Sequence, residues 1–142
     1  MIEMAFIAPI LAAIVVGMVD LSNAYSVKLQ LEQAAQRTVE KAQQTIVTDT
    51  MLSTLQLEGA SAASGVGSTP IAATDVTVDF WLECNGTRQV LYDSTCSPGQ
   101  THARYLKVSI KGSYAPVFST HFAGSNSDGS FTLNGVAGIR TE

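Results

Sequence analysis

Between Glu3 and Asp20 this sequence has no charged side chain at all, and charge is thin over the whole chain, at 14% of residues with a net of −4. No basic block is present, which leaves a nucleic-acid partner without an electrostatic footprint. Histidine is almost missing. His102 and His121 stand in neither a His-x-x-x-His nor a Cys/His spacing, so no metal centre is expected. The "GSNSDGS" segment has Asn and Asp at alternate positions but lacks the acidic ligand set of a calcium loop, and reads as a surface turn. No Gly-x-Ser-x-Gly elbow occurs, and no glycine-rich phosphate loop opens a helix. Neither catalytic residues nor a cofactor site is therefore expected, and the chain is not read as an enzyme.

What is abundant is apolar surface, and it is unevenly placed. Met4–Val19 is an uninterrupted apolar run of about 16 residues, slightly short of the roughly 20 that span a bilayer. A helix starting at Ile2, with Asp20 and Asn23 reaching the far headgroups, would still cross a thin membrane. A secretory signal peptide fits less well, because no basic residue precedes the run and "DLSNAYSVKLQLEQAAQRTVEKAQQTIV" continues it as good helix. Pro9 cannot donate to Ala5, so the helix is expected to kink or loosen there, with Gly17 a second weak point. Glu3 has two readings. It sits among headgroups at the positive helix end, or it neutralises a positive charge on a neighbouring helix, most simply a free N-terminal ammonium.

Beyond Asp20 the helix becomes amphipathic. Ala24, Val27, Leu31, Ala34, Thr38 and Ala42 recur at steps of three and four, with Leu21, Tyr25, Ala35, Val39 and Ile46 widening the stripe. The helix is expected to end by Leu57, and "EGASAASGVGSTP" reads as a flexible connector. From Thr74 the period becomes two. "DVTVDFWLE", "RQVLY", "ARYLKVSIKGSY" and "FTLNGVAGIR" are four expected strands, Gly135 marking a bulge or a close backbone approach in the last. Trp81 and Glu83 face outward, as part of a contact surface or covered by the connector. Cys84 and Cys96 bracket a short loop with turn formers, the pattern of a disulfide in an exported protein. Such a bond puts the C-terminal part on the oxidising side of the membrane and the N-terminus inward. The expected fold is α+β: a long N-terminal helix over residues 1–57 (apolar base 1–20, amphipathic half 21–57), a connector over 58–73, and an antiparallel sheet of about four strands over 74–142, covered by the helix stripe.

The opening segment, with Glu3, Phe6, Pro9, Gly17, Asp20, Tyr25 and "LQLEQAA" at 29–35, resembles the TadE/TadG-like pilins of tight-adherence (type IVc) systems. "RYLKVSIKGSYAPVF" and the closing "GVAGIRTE" have the look of the same family. The resemblance implies a pilin-like subunit held in the inner membrane with its N-terminus inward, then assembled through a helical core into an extracellular adhesive pilus. Its implied partners are copies of itself, other pilins, the assembly machinery and the inner membrane before assembly. Met1, Glu3, Phe6, Pro9 and Gly17 are the implied assembly residues, Glu3 matching the family glutamate. Fewer residues precede that acid than the family pattern has, so either the chain is already trimmed or its N-terminus is handled differently. The alternative reading is a membrane-anchored minor pilin or assembly module that does not itself polymerise.

Overall fold

The computed structural model describes residues 2–44, 51–117 and 124–141, with the side chains of its first helix described from residue 7 onward. That helix, α1 (Ile2–Gln43), is a single element of 42 residues, about 60 Å long at roughly 1.5 Å per residue. It runs unbroken through Pro9. Proline there cannot make the backbone hydrogen bond to Ala5.

The upper half of α1 lies across one face of a four-stranded antiparallel sheet of order β2-β1-β3-β4. The strands are β1 (Val76–Cys84), β2 (Thr87–Arg88), β3 (His102–Tyr114) and β4 (Phe131–Arg140). Alternation sets which face each side chain takes. Val76, Val78 and Leu82 of β1 and Leu106, Val108 and Ile110 of β3 are buried, while Thr77, Lys107 and Lys111 are exposed. Opposite them the helix buries Leu31, Ala34, Ala35, Thr38, Val39 and Ala42. Thr38 satisfies its hydroxyl by donating to the Ala34 carbonyl at 2.9 Å, so it enters the core without an orphaned polar atom. Leu21 and Tyr25 do not join this stripe. Both stay exposed, at 72% and 60%, because they point to the side of the face on which Ala24 and Val27 are half-buried; Ile46 lies outside the described residues.

Gly135 decides how close helix and sheet can come. A Cβ there would stand 2.2 Å from the Leu31 carbonyl carbon and 2.5 Å from the Glu32 nitrogen. The register continues through it, with Ile110 opposite Gly135, so of the two expected readings the close backbone approach holds and no bulge forms. Gly112 of β3 widens the same notch, its missing Cβ falling 3.1 Å from both Leu31 methyls. Leu31 is fully buried in that notch, and burying such a side chain is worth about 1.5–3 kcal/mol.

The expected single helix to residue 57 and connector from 58 require correction. A second helix, α2 (Leu52–Ala62), occupies the boundary and buries Leu55 and Gly59. Glycine is needed at 59 because a Cβ would meet Val76 Cγ1 at 2.8 Å. Lys41 pairs with Glu58 across the two helices. The alanines of "EGASAA" are helix formers, and burial against β1 outweighs the flexibility suggested by their serine and glycine neighbours. The rest of the connector is pinned rather than loose. Ala63 and Val66 are buried, and the Ser68 backbone N–H and hydroxyl both donate to the Ser113 carbonyl, at 2.8 and 2.9 Å.

"RQVLY" also departs from expectation. Asn85 and Gly86 take positive φ, 49° and 78°, the backbone of a tight two-residue hairpin turn. The returning strand is only Thr87–Arg88, paired with Cys84 and Glu83. Val90 is then 99% exposed. The chain instead inserts Tyr92, buried edge-on against Phe80 at 5.2 Å between ring centres, before closing the Cys84–Cys96 disulfide, whose Cα atoms are 5.6 Å apart.

Candidate assembly surface

Below the sheet, α1 is bare. Among the described residues it is the one helix long and apolar enough to cross a membrane, and none of its most apolar window is buried. Ile10, Val15 and Met18 are 60–65% exposed, and exposed apolar side chains lie on every side of the rod. Pro9 and Gly17, two of the expected assembly residues, lie on this surface, and open space surrounds the missing Cβ of Gly17. Met1 and the side chains of Glu3 and Phe6 lie outside the described residues.

Where the bare helix meets the domain, an open apolar groove of about 930 Å³ forms. Ala13, Val16 and Gly17 of α1 line one wall and Tyr114, Pro116, Phe131 and Leu133 the other. Small residues on the helix side leave room that the domain does not fill. The groove and the exposed helix below it form one continuous apolar surface.

Asp20 stands at the top of this groove, and its role was not visible in the sequence. Instead of reaching headgroups, its Oδ1 accepts hydrogen bonds from the Tyr114 hydroxyl at 3.0 Å and the Val117 backbone N–H at 2.8 Å. One carboxylate thereby ties the helix to the end of β3 and to the chain leaving it. The Tyr114 phenol is pushed above its ordinary value, first by burial and then by its hydrogen bond to and the charge of Asp20, with a hydrogen bond to Asn23 pulling the other way. The partners are 94 and 97 residues away in sequence. No local pattern could have announced them.

The disulfide lies at the opposite end of β3, where Cys84 pairs with His102, about 40 Å from Tyr114 at roughly 3.3 Å per strand residue. Its loop is held further by Arg104, whose Nε donates to the Tyr92 carbonyl at 3.3 Å. His102 is exposed beside it, and His121 lies outside the described residues. The "GSNSDGS" turn closes on itself: Asp128 Oδ1 accepts from the Ser130 backbone N–H at 3.0 Å and from its hydroxyl at 2.7 Å. Trp81 is half-buried, covered not by the connector but by its sheet neighbours. It stacks on Tyr105 at 5.2 Å, carries the Arg88 guanidinium 4.7 Å from its ring centre, and donates its indole N–H to Glu83 at 2.8 Å.

The described residues thus form a long helix with an exposed apolar base, continuous with an upper half that packs into the core of a small antiparallel sheet domain. Residues 1–39 match the family model described as TadE-like protein. Over that segment the chain is similar to TadE-like proteins. The match covers most of α1 and stops before α2 and the sheet; the likeness read in "RYLKVSIKGSYAPVF" and "GVAGIRTE" falls outside it. No curated protein and no solved structure matches the chain.

Proposed function

We propose that this chain is a structural subunit that polymerises through its N-terminal helix into an extracellular adhesive filament, after residing in the inner membrane with its N-terminus inward. The observation that carries the proposal is the continuous apolar surface from Ile7 to the groove under the sheet, left uncovered by the other described residues. Burying each of its large side chains is worth about 1.5–3 kcal/mol, so this surface needs lipid before assembly and protein after it. In a helical polymer the base of one copy meets the base and groove of others, and the sheet domains form the outside. Glu3 would then face a neighbour's N-terminal ammonium, a pairing that favours one register of otherwise featureless helices. Other pilins and the assembly machinery are the remaining partners, and no catalytic role is proposed.

The length of the apolar helix also favours a second reading, a membrane-anchored module that never polymerises. Electron microscopy of sheared surface material separates the two. Filaments labelled by an antibody to this chain are expected; its confinement to the membrane fraction would select the second reading. Glu3→Ala is expected to lower assembly or scramble subunit order, and unchanged fibres would remove the charge-register idea.

A further inference from the structure

The outer face of the sheet has a charge opposite to that of the chain. By alternation it carries Arg88, Lys107, Lys111 and Arg140, four of the eight Lys and Arg residues, but only Asp79 and Glu83 of the twelve Asp and Glu. That face is net +2 on a chain of net −4. Both acids are engaged: Asp79 pairs with Arg88 at 2.6 Å, and Glu83 accepts the Trp81 indole N–H. Lys107 has no ion pair among the described residues.

Beside the stacked Trp81 and Tyr105 rings the face holds a shallow hollow of about 340 Å³. It exists because Gly138 presents no side chain between Lys107, Val136 and Arg140. That volume is at the low end of the roughly 300–1,000 Å³ of small-ligand sites. Trp81 is clamped between Tyr105 and Arg88, so the aromatic wall is already rigid and little ordering is needed on binding. An aromatic wall and an isopropyl group suit the C–H face of a sugar ring, and the two flanking cations suit a carboxylate.

We propose that this hollow is a subsite for an acidic sugar, a uronate unit of an anionic polysaccharide. Tyr105 and Val136 contact the ring, and Lys107 and Arg140 contact its carboxylate. The inference rests on the reading of the sheet as the outward surface, and it does not require polymerisation.

The test is binding of the full chain in detergent to immobilised polygalacturonate, with neutral dextran, polyphosphate and duplex DNA as competitors. The chain is expected to be retained and to be displaced by neither dextran nor an equal charge of polyphosphate or DNA. Lys107→Gln is expected to weaken binding about tenfold and Lys107→Arg to restore it. Gly138→Val should weaken it as much with charge unchanged, because it fills the hollow. Lys107 is exposed, so its variants fold whether or not Gly138→Val does. The proposal is overturned if the chain is not retained, if an equal charge of polyphosphate or DNA displaces it, or if a folded Gly138→Val binds as before. Loss of filaments in the shearing experiment would leave this binding intact, so the two readings fail separately.

Discussion

The two halves of α1 are the same helix under opposite conditions. From Leu31 to Ala42 its inward side chains are at most 5% exposed; from Ile7 to Val19 the large ones other than Val16 are about half exposed or more. The upper half mixes small and polar residues and its inward face is covered, while the lower half is nearly all aliphatic and is covered by none of the other described residues. In a folded domain the more apolar segment is ordinarily the one inside. The described core is built on the upper half, and the lower half carries the apolar surface on which the proposed assembly rests.

The strongest way to break this contrast is at the upper contact. Gly135→Leu puts a side chain where the Leu31–Glu32 backbone lies, so α1 must lift from the sheet. A loss at or beyond the upper end of the ~1–3 kcal/mol typical of overpacking is expected, read as a large fall in thermal midpoint of the full chain in detergent. Leu31→Ala should destabilise the domain by about 2–5 kcal/mol. Its counterpart Ile14→Ala should leave the melting curve unchanged and reduce self-association instead. If the two substitutions had equal effects on stability, the halves would not be distinct. Replacing both cysteines by serine should cost about 3 kcal/mol in the chain-entropy model, without altering association through the helix base, because the disulfide is at the far end of β3.

Asp20 sits on the boundary between the halves, and its effects should be smaller. Asp20→Ala removes two hydrogen bonds, one part-buried and one exposed, together worth about 1–2 kcal/mol, and should loosen the segment after Tyr114 in hydrogen exchange. The phenol of Tyr114 gives the pH signature. Because its folded value is raised above 10.0, the folded state binds the proton more tightly than the unfolded state does. The stability it contributes is complete below pH 10.0 and is lost as pH rises from there through the folded value. Ultraviolet titration should find one of the four tyrosines ionising late. Asp20→Asn should bring it part of the way back, since burial, the larger cause, remains.

Much of this architecture was legible because it is written in periods. The 3.6-residue stripe around Leu31 and the two-residue alternation of β1, β3 and β4 each mark a buried face, and Gly135 marked the place where two backbones meet. The elements that escaped are those set by tertiary partners. The end of α2 follows from Gly59 lying against Val76, although its alanines and serines look like a linker. "RQVLY" has strand composition, but the positive-φ turn at Asn85-Gly86 and the insertion of Tyr92 take the chain away from the ladder. Asp20 looked like the edge of an apolar run, while its partners come from the far side of the fold. The exposed base was read correctly as apolar helix, since helix periodicity is indifferent to what covers it.

Photo-crosslinking from Ile14 in intact cells tests the central claim most directly. A photoreactive side chain at that position is predicted to yield adducts with a second copy of this chain, recovered from the sheared surface fraction and absent when the reactive group is placed at exposed Val90. Adducts only with lipid, confined to the membrane fraction, would contradict the claim that the bare half of α1 is covered by other copies.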